Sequence, residues 1–201
     1  MDFTKVKSAL EERGYQVTVC DTKEAASDYL NAQIDGRSVS FGGSMTLKEL
    51  GLFESLATHN TMLSHWHVPE GKTGADVLRE AVATDVFLTS ANGLAETGEI
   101  INIDGTGNRV AGTLYGHRKV YFVIGRNKLA PDYEKALWRA RNIASPKNAQ
   151  RLGVQTPCAA KGDKCYDCKS PQRICRGLVV LWEAVKSCET EVVLVDEDLG
   201  Y

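Results

Sequence analysis

No stretch of this sequence approaches the roughly 20 consecutive apolar residues of a bilayer-spanning helix, so no membrane span is expected. An excess of charge is missing as well. The 24 Lys and Arg against 26 Asp and Glu leave a formal net charge of -2. That removes the electrostatic case for nucleic acid or an anionic membrane as partner. The head of the chain has no uninterrupted apolar run: Met1 to Gly14 mixes Asp2, Lys5, Lys7, Glu11, Glu12 and Arg13 with apolar residues. It reads as an amphipathic helix, not an export signal, and places the chain in the cytoplasm. Six cysteines in that setting point to thiols or metal ligands before a disulfide framework. Internal repeats, low-complexity linkers, an NAD fingerprint and a flavin motif are all lacking. Gly105 and Gly107 sit between two strand candidates, where a dinucleotide-binding loop would need a strand-to-helix turn.

What is present is ordinary for a globular protein. The 201 residues are 43% hydrophobic and 25% charged, which suits one domain with a useful core. Val6, Leu10 and Val17 bracket a first helix that stops at Gly14, and Tyr15 to Cys20 reads as a strand. Thr22 to Gln33 has helical composition. Ser38 to Phe41 is a short strand, and Thr46 with Glu49 has capping-box spacing for a helix start. Asn60 to Trp66 reads as a strand, Thr73 to Ala83 as a helix, and Val86 to Leu88 as an apolar strand. Glu99 to Ile103 and Lys119 to Ile124 are further strands, with turn chemistry from Asp104 to Asn108 between them. Asp132 to Ala144 predicts a helix ending before Pro146. Such alternation predicts a mainly parallel sheet covered by helices over residues 1–150. Residues 151–201 add a cysteine-rich segment and two strands, Leu178 to Trp182 and Val192 to Val195, expected as a hairpin completing the same domain.

Two stretches carry candidate chemistry. Gly42, Gly43 and Ser44 lie between a strand and a helix start, where backbone N–H groups can face an anion. They serve equally as a tight turn with Ser44 or Thr46 capping the helix. The second stretch runs from Thr89 to Arg109 and holds Asn92, Glu96, Thr97, Asn102, Asp104, Asn108 and Arg109. In open α/β sheets ligands bind at the carboxyl ends of strands. Glu96, followed by Thr97-Gly98, can serve there as a nucleophile toward an acyl group or as a general base. A solvated loop is the plain alternative. The glycine loop and Glu96 are expected to line one pocket for an anionic small molecule, with Arg109 or Lys128 facing the anion. His65 and His67 read as surface histidines at a strand end. His117, in a basic turn, is expected to face solvent or an anion.

Cys158, Cys165, Cys168 and Cys175 form C-x6-C-x2-C-x6-C. A C-x2-C pair lets two thiolates reach one metal, and the outer pair can complete four ligands. Lys161, Lys164, Lys169 and Arg173 surround them and favour thiolates. With little apolar content to hold the segment, zinc or an iron–sulfur cluster is expected at these four, with disulfides or free thiols as the alternative.

Residues 40–52, Asn102 to Ala111, Gly125 to Lys128, Ser170 to Cys175 and Asp196 to Tyr201 together resemble the lactate-utilisation (LUD) domain family. The likeness is to its short, single-domain branch with a C-terminal cysteine motif, and the family includes lactate-utilisation protein C. The resemblance implies a three-layer α/β domain like that of the NagB/RpiA/CoA-transferase group. In that group carboxylates at strand ends act on sugar phosphates or form acyl-CoA adducts. Glu96 occupies a comparable place, although the chain lacks a full CoA-transferase signature. The resemblance further implies a component of a system oxidising L-lactate to pyruvate with iron–sulfur partner subunits. The rivals are an independent enzyme acting on a phosphorylated or acyl small molecule through Glu96, and a non-catalytic ligand-binding protein with a zinc-stabilised tail. Homo-oligomer formation is open.

Overall fold

A computed structural model describes residues 3–201. Met1 and Asp2, at the head of the expected first helix, lie outside the described residues. The chain opens with α1 (Thr4–Glu12), β1 (Gln16–Cys20), α2 (Lys23–Gln33) and β2 (Ser38–Phe41). Next come α3 (Met45–Glu49), α4 (Leu52–Leu56), β3 (Thr61–Leu63), α5 (Gly74–Ala81) and β4 (Val86–Thr89). A hairpin of β5 (Gly93–Ala95) and β6 (Ile100–Asp104) precedes α6 (Asn108–Gly112), β7 (Lys119–Gly125), a 3-10 turn over Arg126–Lys128 and β8 (Leu129–Ala130). The last part holds α7 (Tyr133–Arg139), α8 (Ser145–Arg151), α9 (Pro157–Lys161), β9 (Gly177–Leu181) and β10 (Glu189–Val195).

Six strands form a parallel sheet in the order β1-β10-β7-β4-β2-β3. The period of two along each strand sorts its side chains between two layers. Tyr121 and Val123 of β7, with Val193 and Val195 of β10, pack on one face against Ala26 and Leu30 of α2 and Leu52 and Leu56 of α4. Val120, Phe122 and Ile124, with Val192 and Leu194, face the other way, onto Val6 and Leu10 of α1 and onto Leu94, Ile100 and Leu181. Those last three belong to a smaller sheet in the order β8-β5-β6-β9. Its far side is covered by Ala136 of α7 and by Ala140. The protein is thus a three-layer α/β fold: helices, a parallel sheet, and a second layer built from the small sheet and α1. Among the described residues no helix is long and apolar enough to cross a membrane.

Helix starts follow local chemistry. Thr22 caps α2 by accepting from Ala25 N at 3.1 Å, and Thr73 with Asp76 forms a capping box on α5. Four expectations are corrected. The cap of α3 is Ser44, which accepts from Leu47 N; Thr46 lies inside the helix with its hydroxyl turned into the core, and Glu49 accepts from Gly200 N at 2.8 Å. The segment around His65 is not a strand but a turn, closed by Ser64 and His67. Pro146 does not end its helix. A π-helical turn over Ala140–Ala144 links α7 to α8, and Ser145 Oγ donates to Ala140 O at 2.9 Å. The wider turn accommodates a residue with no N–H and a ring that crowds the preceding carbonyls. Finally, the two C-terminal strands form no hairpin. β9 pairs antiparallel with β6 in the small sheet, whereas β10 lies between β1 and β7 in the large one. A run such as Val192 to Val195, apolar at every position, needs cover on both faces, which a two-stranded hairpin cannot supply.

Phe122 is fully buried where β7 meets the small sheet. Phe122→Ala should destabilise the chain by about 3–5 kcal/mol through lost burial and a residual cavity, read from urea unfolding midpoints.

Candidate functional site

In the parallel sheet β7, β4 and β2 are neighbours, so their carboxyl ends emerge side by side. From β2 comes Gly42-Gly43-Ser44, from β4 Ser90-Ala91-Asn92, and from β7 the turn that carries Lys128. The end of β6 supplies Asp104 to Arg109. These segments, with His65, Trp66, α8 and Ile174-Cys175 of the tail, enclose a cavity of about 340 Å³.

Arg109 builds one wall. Its Nη1 donates to Ser90 O at 3.3 Å and to Asn102 Oδ1; its Nη2 donates to Asn92 Oδ1 at 3.0 Å and Ile103 O at 2.6 Å. The two asparagines belong to the same knot, since Asn102 Oδ1 also accepts from Asn92 N and Asn92 Oδ1 from Ile103 N. The guanidinium is therefore a joint between the strand ends, and burial lowers its pKa. Asp104 is similarly engaged: its carboxylate accepts from the backbone N–H groups of Gly105, Thr106, Arg109 and Val110. That arrangement opens α6, so Asp104 to Asn108 forms a strand-to-helix turn where a turn between two strands was expected. Gly42 faces this wall, not the cavity. A Cβ on Gly42 would stand 2.8 Å from Arg109 Cγ and 3.0 Å from Phe87 Cζ, so the glycine permits close packing. Gly43 and Ser44 do line the cavity, as do Asn92, Asp104, Asn108, Arg109 and Lys128.

Lys128 is the buried lysine of the lining. It is only 4% exposed, and Nζ donates to Thr46 Oγ1 at 2.7 Å and Ser90 Oγ at 2.8 Å. No ion pair among the described residues involves it. Burial, then the nearby cations Arg139 and Arg109, push its pKa down to about 7, against a weak opposing pull from Glu49. Arg139 cannot swing away, because its Nε holds Asn127 O at 2.8 Å and its Nη1 holds Asn92 O at 2.6 Å.

Glu96 and Thr97 are elsewhere. They sit in the turn between β5 and β6, where Glu96 N donates to Ala130 O at 2.8 Å and Thr97 O accepts from Arg13 Nε at 2.7 Å. Arg13 precedes β1, so this turn lies at the amino edge of the parallel sheet, opposite Ser44. The expectation that the glycine loop and Glu96 share a pocket is corrected by the hairpin: β5 carries the chain from Asn92, at the cavity, away from it. Two histidine expectations change as well. His117 is 5% exposed, stacks on Phe87 at 4.9 Å and binds Thr84 O through Nδ1 at 2.9 Å, so it faces the core. His65 lines the cavity, and its buried Nδ1 has no partner among the described residues. The sequence did not point to His65, Arg139, Asn148 and Tyr201 here, nor to Thr46 as more than a helix cap. Ser90, directly after an apolar strand, lies in the polar stretch from Thr89 to Arg109 that the sequence singles out.

The cysteine segment covers one side of the cavity. Cys175 lines it, and Arg176 N donates to Asp104 O at 2.9 Å. Burial raises the Cys175 thiol pKa, Ser145 opposes this with a hydrogen bond, and the neighbouring Cys165 and Cys158 raise it further. Three of the four thiols therefore share one region, with Asp167 N donating to Cys165 Sγ at 3.4 Å. All four are free thiols. Among the described residues no three His, Cys, Asp or Glu side chains are disposed to hold a metal ion. The donor types suit a metal, but their positions do not form a ligand set among the described residues.

The unfolded-state pKa of a lysine is about 10.4. Between about 7 and that value the unfolded chain binds a proton that folded Lys128 has shed. Stability from this residue is therefore gained as pH rises through that window. In urea unfolding at a series of pH values, the wild type should gain on Lys128→Met from about pH 7 to 10.

The fold is similar to that of a DUF162 family protein from Deinococcus radiodurans, with a TM-score of 0.55, 14% sequence identity, and coverage of 97% of this chain and 99% of that one. No curated protein matches the sequence. The family model for the LUD domain matches residues 3–195. With a match over nearly its whole length, the chain belongs to the LUD-domain family.

Proposed function

We propose that the protein is a component of a lactate-oxidising electron-transfer system, forming pyruvate from L-lactate together with partner subunits. Its own part in that system is to hold the small carboxylic acid over Lys128. Membership of the LUD-domain family supports the lactate-related reading in its coarse form. The observation that carries the site is Lys128 itself: an enclosed ammonium with two hydroxyl acceptors, two cationic neighbours and an open cavity beside it. A buried charge without a counterion is costly, and a bound carboxylate supplies that counterion. Ser44, Asn108 and Asn148 line the same cavity and offer uncharged donors for the rest of a short acid. The cavity is within the size range of small-molecule sites. The rival enzyme reading through Glu96 loses support, because that carboxylate lies at the other edge of the sheet.

Calorimetric titration with L-lactate and with pyruvate should give saturable binding, weakened about tenfold or more in Lys128→Met, as expected for loss of a buried charge-assisted hydrogen bond. In a mixture with the partner subunits, leaving this chain out should abolish pyruvate formation from L-lactate. An unchanged rate without it would sink the lactate role.

The four-cysteine segment is proposed to bind zinc or an iron–sulfur cluster, closing around it as it binds, since metal sites of this kind form together with the metal. Protein purified without oxygen should carry near-stoichiometric zinc or iron, and Cys165→Ser should lose it and become more open to proteolysis over residues 155–176. Absence of both metals would leave the segment as free thiols.

A further inference from the structure

We propose that Lys128 is a carbonyl-capturing nucleophile, whose amine condenses with the keto group of a small 2-oxo acid held in the cavity. This rests on the reading that the cavity takes small carboxylic acids of the lactate and pyruvate class, and it assigns a covalent step to one atom of the site.

Geometry comes first. Lys128 lines a cavity of about 340 Å³, and its Nζ touches two side-chain hydroxyls, Thr46 at 2.7 Å and Ser90 at 2.8 Å. Those hydroxyls lie 3.3 Å from each other, and Thr46 Oγ1 lies 3.3 Å from Leu199 O. The neighbouring Arg109 and Arg139 end on backbone carbonyls and side-chain amide oxygens, groups that only accept. Lys128 instead ends on two groups that can each give and take a proton.

Electrostatics then favour the reactive form. Arg109 and Arg139 are locked by their own hydrogen bonds, so neither can retreat from Lys128. Together with burial they bring its pKa down to about 7, so that the free amine and the ammonium are both populated at physiological pH. Desolvation beside other cations is a recognised way to make a lysine nucleophilic. The same cations attract the carboxylate of the incoming acid, which places the adjacent keto carbon near the amine.

The step balances without an added oxidant or reductant. The Nζ lone pair forms a bond to the keto carbon, and the C=O π pair moves onto oxygen, which takes a proton through the Ser90 and Thr46 hydroxyls. Nitrogen gives up a proton to the same relay. The hydroxyl of the resulting carbinolamine is protonated and leaves as water, giving an iminium ion. The sum is amine, ketone and one proton going to iminium and water.

The test uses the full chain with pyruvate and cyanoborohydride, which reduces an iminium to a stable secondary amine. Intact mass should rise by the mass of pyruvic acid less one oxygen. Peptide mapping should place the adduct on Lys128, about tenfold or more ahead of the surface lysines. Lys128→Arg keeps the cation and should lose this adduct. Should that variant fail to fold, mapping of the wild-type protein decides alone. Pyruvate that binds by calorimetry without enriched labelling of Lys128 overturns the covalent step and leaves the binding reading standing. Neither binding nor labelling overturns both.

Discussion

The guanidinium of Arg109 joins the two sheets, and the geometry of the cavity depends on that joint. It ties the backbone after β4 of the parallel sheet, at Ser90, to Asn92, Asn102 and Ile103 around the small sheet. Four carbonyl-type acceptors meet one planar fork, an arrangement a lysine cannot reproduce. Around this joint the rest follows. Gly42 must be glycine to let β2 approach it, Asp104 orders the loop that presents Arg109, and Asn92 is left with its carbonyl turned toward Arg139.

Lys128 is the outcome of that organisation. The two arginines that flank it use their donors on backbone carbonyls and side-chain amides, so they act on the lysine as fixed positive charges. Among the described residues no carboxylate forms an ion pair with it, and Glu49, which favours its charged form, accepts from Gly200 N. Asp104, in the cavity wall, has its oxygens committed to backbone N–H groups. The site thus keeps a shifted amine beside open space, the kind of imbalance that marks functional sites more often than structural ones.

The order β7-β4-β2 does the assembling. Three loops separated by up to about eighty residues in sequence become neighbours because parallel strands all point their carboxyl ends the same way. The cysteine segment then folds across this edge, with Gly105 so close to the tail that a Cβ there would meet Ile174 O at 2.7 Å. Cavity and thiols consequently share a wall, with Cys175 itself in the lining.

Periodicity, glycine turns and capping residues were sufficient to indicate the α/β class, most element positions and the set of cavity residues on the glycine loop and on Asn92, Asp104, Asn108, Arg109 and Lys128, because each depends on local pattern or on a strand ending in polar residues. Which residues work together was not local. Glu96 follows an apolar strand as Ser90 does, yet a three-residue strand reverses the chain and carries it to the opposite edge. Val192 to Val195 could pair with any strand by composition; only the packing of both its faces puts it between β1 and β7. The charge state of Lys128 depends on the burial and the two arginines that folding brings around it. Sequence therefore determined the family, the fold class and the menu of chemical groups, since these are written in short-range patterns. Tertiary structure decided which groups face one cavity and which of them is left without a counterion, since both are properties of distance between residues far apart in the chain.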